Sequence, residues 1–500
     1  HDTTLSFSTA ALHAFQRWLS RRYGDVDALN AAWGNVFWSM EYGAFSEVGL
    51  PSATVTEANP AHWLDFQRFS SDQVVRFNRV QVEAIRAHST APILHNYMGR
   101  ITDFDHFEVG ADLDAASWDS YPLGFLEDRV PADEQWRSAF ARQGDPDFQA
   151  FHHDLYRTVG RGRWWVMEQQ PGPVNWAPWN PAPLRGMIRL WAWEAFAHGA
   201  ETVCYFRWRQ APWGQEAMHA GLLTPVSQEA PGLEEVRLVA EELKDAPART
   251  SVAARVGLVF DYQSEWMWTI QPQGADFSYF DLVFDAYRAL RRAGLTVDIL
   301  PPATTDLTGY ALVVVPGLAV WTPELRAALG EFRGRAVVGP RTGAKCPNAA
   351  TQPNLPPDNP DLETRVERVE SLRPTEVLAL DGGGALIRWR EFTTGTSEVI
   401  ERTADSEPAV RRAGHVTYLC GWPDSEAMKR ILEGEARTAG LETLDLPDGL
   451  RRTETEHEVF WLNYGREDAP LAALAMDETL PDALAAAGVH RASKAGRAVD

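Results

Sequence analysis

Residues 164–172 read WWVMEQQPG, and this stretch decides the fold. An apolar run typical of a buried strand ends in a carboxylate, Glu168, and a polar pair and a chain-turning Pro-Gly follow it. In a (β/α) barrel, the side chains at the carboxyl ends of the strands line the active site. The stretch therefore predicts that Glu168 faces the mouth of a barrel, as a nucleophile or a general base. The position is equally compatible with a strand-end glutamate that pairs with Arg207.

The neighbouring sequence repeats the strand-and-helix pattern. Strands are predicted at 92–96, 115–119, 164–168 and 202–206, and helical patterns lie between and after them. The polar residues at the strand ends are Asn96, Asp119 with Tyr121, Glu168 and Arg207. Four such units are half of a barrel, and a half barrel alone would leave two open sheet edges. We therefore expect residues 1–248 to be the C-terminal half of a (β/α)8 TIM barrel whose first half lies upstream of His1.

The rest of the chain predicts three further segments. Residues 249–440 alternate buried strands with amphipathic helices, which indicates an α/β domain with a parallel sheet. Residues 441–480 hold short strands and predict a small β domain. Residues 481–500 are rich in alanine and are expected to be a loose helix or a frayed tail.

Composition excludes several classes of protein. The formal net charge of −22 argues against a nucleic-acid partner, whose phosphates attract Lys and Arg. No apolar run is long enough to span a membrane. The three cysteines form no CxxC pair, which excludes a disulfide scaffold and a cysteine-rich zinc site and suits a cytoplasmic location. Fourteen of the 20 tryptophans lie between Trp18 and Trp213, and such a supply of indole suits sugar rings as well as core packing.

The loops after the last two predicted strands carry more candidates. Trp176 follows Glu168 on the same loop and is either a stacking platform or an ordinary packing residue. Glu216 and His219 are three apart, so on one helical turn they share a face, where they could hold neighbouring sugar hydroxyls or form an exposed surface pair. His152-His153-Asp154 lies within a helix, has no further ligand at metal-site spacing, and is expected to be a solvated helix face.

The chain resembles the family 42 glycoside hydrolases, the bacterial β-galactosidases, over nearly its full length. The most specific matching stretches are 167–176 and 206–223. The other stretches that match, in the same order as in the family, are 1–3, 15–24, 29–30, 33–34, 37–38, 59–60, 64–66, 95–96, 98–99 and 118–124.

The resemblance implies roles for individual residues. Glu168 matches the family's nucleophile, and residues lining the galactose subsite are matched by Trp176, Glu216 and His219. Trp38 matches an aromatic on a projecting loop that helps complete a neighbouring subunit's site, and Tyr121 is a further pocket residue. The family's acid/base glutamate would lie four residues before His1, so the chain as written is expected to have little or no activity.

The family also implies the overall organisation and chemistry. Residues 249–440 resemble its trimerisation domain, an amidotransferase-like α/β fold without that catalysis, and the segment after Leu441 resembles its small antiparallel β domain. The expected assembly is a homotrimer, the expected ligand is a small β-galactoside, and the retaining reaction needs no cofactor. Some members bind zinc through cysteines where this chain has Ser6, Ser8 and Ala11, so no metal site is predicted. A non-catalytic galactoside binder, or a glycosidase for β-fucosyl or arabinopyranosyl sugars, remains an alternative.

Overall fold

The first sheet carries the strand that contains Glu168. In the computed structural model, which describes residues 4–246, 251–472, 474 and 480–494, this sheet has four parallel strands in the order of the sequence. Each predicted strand is present within two residues of its expected position. The strands are β1 (Leu94–Met98), β2 (Ala115–Ser120), β3 (Trp164–Gln169) and β4 (Thr202–Tyr205).

Helices surround this sheet, and several begin at a capping side chain. The Asp105 carboxylate, for example, accepts hydrogen bonds from the backbone N–H groups of Phe107 and Glu108 at the start of one of them. The helices of this region are α1 (Thr9–Tyr23), α2 (Val26–Trp33), α3 (Pro60–Arg86), α4 (His106–Ala111), α5 (Pro122–Asp128), α6 (Glu134–Phe140), α7 (Phe148–Val159), α8 (Met187–Ala197) and α9 (Pro231–Glu242).

A second region packs against the first through a seven-stranded sheet. Five neighbouring strands of that sheet are parallel, as predicted, and two antiparallel strands extend one edge. Its strand order is β12-β13-β14-β8-β7-β5-β6, and β9, β10, β11 and β15 form a separate antiparallel sheet. The elements are β5 (Val256–Val259), α10 (Tyr262–Ile270), α11 (Tyr279–Arg292), β6 (Val297–Leu300), β7 (Leu312–Val315), α12 (Pro323–Glu331), β8 (Arg335–Val338), β9 (Thr364–Ser371), β10 (Leu378–Ala379), β11 (Ala385–Gly395), β12 (Glu398–Arg402), β13 (Pro408–Ala413), β14 (Val416–Leu419), β15 (Gly421–Pro423) and α13 (Ser425–Thr438).

The last segment corrects one prediction. Residues 481–494 are not a loose helix or a frayed tail, because β20 (Val489–Ser493) pairs with β17 (Glu458–Asn463) in a three-stranded antiparallel sheet with β16 (Leu450–Glu454). Two short strands, β18 (Ala469–Pro470) and β19 (Ala483–Leu484), pair beside it. Alanine favours a helix, but Ala487 has a positive φ of 52° and Gly488 follows it, so the chain turns there. Residues 495–500 lie outside the described part.

Helix α7 corrects a second prediction. His152, His153 and Asp154 are at most 1% exposed, so they are not a solvated helix face. The second region covers this helix: Arg157 donates to the backbone oxygen of Val297 and to the carboxylate of Asp298 on β6. The sequence pattern shows polar residues, but it does not show that a second sheet packs over them.

In the described residues, no helix is both long and apolar enough to cross a membrane.

Candidate active site

Glu168 lies near the end of β3, between β2 and β4, as its sequence position predicts. The side-chain amide of Asn96, from β1, donates to Glu168 Oε1 at 3.5 Å, and the Tyr121 hydroxyl, which follows β2, donates to Oε2. Arg207 forms its ion pair with Glu216. The alternative in which Glu168 pairs with Arg207 therefore does not hold, and the carboxylate is oriented by neutral donors.

Tyr121 contacts three other candidate site residues, namely Glu168, Trp176 and His219. Its ring meets the Trp176 ring edge-on at 5.8 Å between centroids and the His219 ring at 5.5 Å. Burial raises the pKa of the Tyr121 hydroxyl, and the negative charge of Glu168 raises it further. The phenol therefore keeps its proton and remains a hydrogen-bond donor to Glu168.

Trp176 forms the aromatic wall on the loop after β3. Its side chain is 40% exposed, while its inner face packs against Phe125, 5.8 Å away between ring centroids. A side chain at Gly124 would collide with the indole, so a residue without a Cβ is required under it. One face of Trp176 is thus fixed and the other is open to a ligand.

His219 and Glu216 lie on the loop after β4. The His219 N–H donates to the Glu216 backbone oxygen at 3.0 Å, so the two residues do share one turn, and the N–H of Ala220 donates to Pro173 O at 2.9 Å, which ties this loop to the loop after β3. His219 is 2% exposed, and burial lowers the pKa of its ring. Glu216, in contrast, has a half-exposed side chain paired with Arg207. The two residues offer a neutral and a charged group to the pocket.

Trp38 is not brought to this site. It lies in a short 3-10 turn, Phe37–Ser39, with a positive φ of 58° and a 63% exposed side chain. It lines a separate surface cavity of about 550 Å³ with Trp63 and Gln271. Its expected role in a neighbouring subunit's site stays a prediction.

Sequence reasoning noted Asp119 and Asn96 at strand ends but did not select them as site residues. Asp119 pairs with Glu168 across β2 and β3, and burial, followed by the charge of Glu168, raises its pKa to about 8. The strand-end rule that selected Glu168 applies equally to both residues, so that signal could have found them. In the described part of the chain, no three His, Cys, Asp or Glu residues are grouped closely enough to hold a metal ion.

The arrangement suits attack on a polarised carbon. Glu168 carries an accessible carboxylate, two neutral donors fix its oxygens, and an aromatic wall stands beside it. Carboxylate nucleophiles and indole platforms are the usual tools of enzymes that act on sugars.

Comparison with known proteins gives consistent matches. Residues 1–246 match the family model described as Beta-galactosidase of glycoside hydrolase family 42, and residues 254–442 match the model described as Beta-galactosidase trimerisation domain. A β-galactosidase of Thermus thermophilus is 49% identical over 475 residues, which cover 93% of this chain and 73% of that protein. The crystal structure of a β-galactosidase from the psychrophilic Marinomonas ef1 is 45% identical and has a TM-score of 0.96, covering 99% of this chain and 78% of that one. A β-galactosidase from the Antarctic haloarchaeon Halorubrum lacusprofundi is 35% identical, has a TM-score of 0.93, and covers 99% and 77% respectively.

Proposed function

Because the chain belongs to glycoside hydrolase family 42, the β-galactosidases, we propose that Glu168 is the nucleophile that attacks the anomeric carbon of a terminal β-D-galactosyl residue. The observation that carries this assignment is the pair of donors, Asn96 and Tyr121, that fix the two oxygens of Glu168. The attack forms a covalent galactosyl-enzyme and expels the aglycone. Water then attacks the same carbon from the side that the aglycone left, so the β configuration is retained.

The donors around Glu168 contribute to both steps. A carboxylate held by hydrogen bonds from Tyr121 and Asn96 is presented to the sugar in one orientation, which removes part of the entropic cost of attack. Because the pKa of Tyr121 is raised, its proton stays on the phenol as the charge of Glu168 is consumed in the ester bond. The same hydroxyl then stabilises Glu168 as a leaving group when water attacks.

The sugar itself is held by the wall and the loop after β4. The open face of Trp176 accepts the apolar C–H face of galactose, while Glu216 and His219 hydrogen-bond to its hydroxyls. The ion pair with the Arg207 guanidinium orients the Glu216 carboxylate for this task. These contacts strengthen catalysis to the extent that they tighten in the transition state.

A retaining reaction also needs a carboxylic acid roughly 5 Å from the nucleophile. Asp119 lies beside Glu168, but its Oδ1 atom is buried and has no hydrogen-bond partner among the described residues, which does not suit protonation of a glycosidic oxygen. We propose that the acid which protonates the glycosidic oxygen is a second carboxyl group other than Asp119. The segment that matches the trimerisation domain supports a homotrimer, which sedimentation would test.

The nucleophile is tested by trapping. The protein, as its gene encodes it, is incubated with a 2-deoxy-2-fluoro-β-galactoside and the labelled peptide is identified by mass spectrometry, while NMR follows the anomeric configuration of the product. We expect label on Glu168 and retention. Label on another carboxylate, or inversion, would overturn the proposal. Glu201→Gln is a matched control, because Glu201 lies at the opposite end of the sheet, paired with Arg163, and its loss should leave labelling intact.

A further inference from the structure

The reach of the Tyr121 hydroxyl is set by the end of strand β2. The Tyr121 ring meets Trp176 and His219 edge-on, but the phenolic oxygen lies on the axis about which the ring turns. The ring orientation therefore does not decide how far the hydroxyl reaches toward Glu168; the backbone and the first side-chain torsion do. Tyr121 directly follows Ser120, the last residue of β2, so whatever holds Ser120 also orients Tyr121.

Ser120 is fixed through both its backbone and its side chain. Its backbone oxygen accepts the backbone N–H of Gln170 at 2.9 Å and the side-chain amide of Gln169 at 3.3 Å, which keeps the ends of β2 and β3 together. Its hydroxyl donates at 2.9 Å to the side-chain oxygen of Gln149 on α7. Successive side chains of an extended chain leave opposite faces, so Ser120 points to the helices while Tyr121 points to the other face.

The hydrogen bonds continue from Gln149 into the C-terminal sheet. Gln149 Nε2 donates at 3.2 Å to the hydroxyl of Tyr464, which directly follows β17, and that hydroxyl donates to Glu194 on α8. All four side chains, from Ser120 to Glu194, are at most 1% exposed. Apolar side chains would fill such a space without polar groups to satisfy, whereas a buried polar network specifies one arrangement of its members.

A second buried contact holds the same part of α7. Arg451 on β16 donates to both carboxylate oxygens of Asp147, at 2.6 and 2.7 Å, and both side chains are fully buried. Asp147 directly precedes α7, two residues before Gln149. The C-terminal sheet therefore fixes the beginning of α7 at two points, and so sets where Gln149 meets Ser120.

We propose that Gln149 and Tyr464 are positioning residues for the reaction. By holding Ser120, they fix the direction in which Tyr121 donates its hydrogen bond to Glu168. This inference rests on the proposed role of Glu168. It gives the small C-terminal sheet a part in the reaction, through contacts made on the helix side of β2.

The test begins with Tyr464→Phe, which removes one hydroxyl and keeps the ring in the core. Gln149 Nε2 then loses its partner, the amide is free to turn away from Ser120, and the end of β2 is held less firmly. A misplacement of about 1 Å in an active site costs roughly 10²-fold, and for the smaller shift in this variant we expect kcat/KM for 4-nitrophenyl β-galactoside to fall by about tenfold.

Two further readouts separate positioning from packing. The hydrogen bond from Tyr121 favours the ionised form of Glu168, which the reaction needs, so a weaker bond should move the acid limb of kcat/KM to higher pH by about half a unit. A double-mutant cycle gives the second readout. Tyr121→Phe removes the donor itself, so the addition of Tyr464→Phe should change kcat/KM by less than about twofold further.

Tyr287→Phe is the matched control. Tyr287 on α11 is also fully buried, and its hydroxyl donates to Asp154 farther along α7. The variant removes the same atom beside the same helix and should lower the melting temperature comparably. Its acid limb should stay in place, with kcat/KM within about twofold of wild type. A shift of the acid limb here as well would show that any buried loss has this effect, and it would overturn the proposal.

The remaining outcomes decide between the two proposals. Wild-type kcat/KM in Tyr464→Phe, an unmoved acid limb, or an effect that adds in full to that of Tyr121→Phe would each contradict the positioning role. Should Tyr464→Phe fold poorly, Ser120→Ala removes the hydroxyl beside Tyr121 and should give the same pattern. Trapping with the 2-fluoro sugar is run on every variant of the protein as its gene encodes it. Label away from Glu168 contradicts the proposed function, whereas label on Glu168 with unchanged kinetics contradicts only the role of Gln149 and Tyr464.

Discussion

Two carboxylates in this protein, Glu168 and Asp154, have the same chemical group in opposite environments, one partly exposed and the other fully buried. Glu168 is partly open and receives two neutral donors, one of them at 3.5 Å. Asp154 is fully buried and receives Arg157 at 2.5 Å, His198 at 2.6 Å and Tyr287 at 2.6 Å. A fully buried carboxylate that binds a close cationic donor is held as part of the core, whereas a partly exposed carboxylate with only neutral donors is available for reaction.

The surroundings of Asp154 form a buried polar layer, which we define as His152, His153, Asp154, Arg157 and His198. This layer joins the sheet that carries the site to the second region, because Tyr287 belongs to α11 and Arg157 also binds Asp298 on β6. Burial by itself raises the pKa of Asp154, but the charge of Arg157 and the hydrogen bonds from His198 and Tyr287 outweigh it, so the pKa lies well below its usual range. Asp154 therefore stays ionised as a structural anion.

The largest expected effect is the loss of activity when Glu168 is replaced. Glu168→Gln removes the nucleophile but leaves a neutral group of the same size, whose one carbonyl oxygen can still accept the hydrogen bond from Tyr121. We expect kcat/KM to fall by at least about 10⁴-fold, which corresponds to roughly 5.5 kcal/mol. The melting temperature should stay within a degree or two, because the side chain is not enclosed. A comparable loss of melting temperature and activity would show that Glu168 is structural.

The converse change is Asp154→Asn, which leaves Arg157 and His198 facing a neutral group in a fully buried site. Breaking one partner of a buried ion pair costs about 3–5 kcal/mol, and urea unfolding would measure this loss. The activity per folded molecule should remain within about twofold. Asp112→Asn, which removes the exposed pair with Arg79, is the control and should change stability by less than about 0.5 kcal/mol. An inactive but stable Asp154→Asn protein would contradict the structural role of Asp154.

A third effect depends on pH and concerns His152. Burial is the main cause that lowers its pKa to about 3, and its Nε2 accepts the N–H of Arg100 at 2.7 Å, so the ring is neutral when folded. Between about pH 6.5 and 3 the unfolded chain binds a proton that the folded chain does not. Stability from this residue is therefore lost as the pH falls through that window, by about 1.4 kcal/mol for each pH unit.

His152→Gln provides the test of that slope. The variant should be less stable than wild type at pH 7, because the Arg100 contact changes, but its free energy of unfolding should fall less steeply between pH 6 and 4. His88→Gln is the control, since His88 is exposed after α3. Parallel slopes in wild type and His152→Gln would mean that His152 is protonated in the folded protein.

The sequence predicts the reactive region much better than the buried layer. The four strands and the strand-end position of Glu168 follow from local patterns, and the rule that strand ends meet at one edge brings Tyr121 to Glu168. The positions of Trp176 and His219 beside Tyr121 agree with the family resemblance and not with any local pattern. In contrast, His152-His153-Asp154 has the composition of an exposed helix face. Only the packing of α11 and β6 over α7 shows that these residues are enclosed, and such contacts between distant segments leave no local pattern.

The sequence also does not predict which site residues pair with one another, because those pairs depend on strand register and on how the loops fold. The partnership of Asp119 with Glu168 depends on strand register, and a register shift occurs between Trp118 and Asp119. The pairing of Arg207 with Glu216 depends on how the loop after β4 folds back. Trp38 lies on a loop that lines a cavity with α3 and residues around Gln271, so strand-end position says nothing about it.

The smallest expected effect on activity is that of replacing Trp176, the aromatic wall beside Glu168. Trp176→Phe keeps an aromatic ring on the fixed side against Phe125 but reduces the area offered to a sugar. We expect KM to rise by about three- to tenfold with little change in kcat, since stacking acts mainly on binding and is worth about 1 kcal/mol. Trp179→Phe is the matched control: Trp179 is on the same loop and is 66% exposed. A fall in kcat with unchanged KM would instead mean that Trp176 orients Tyr121, whose ring it touches, and so acts on the nucleophile rather than on the sugar.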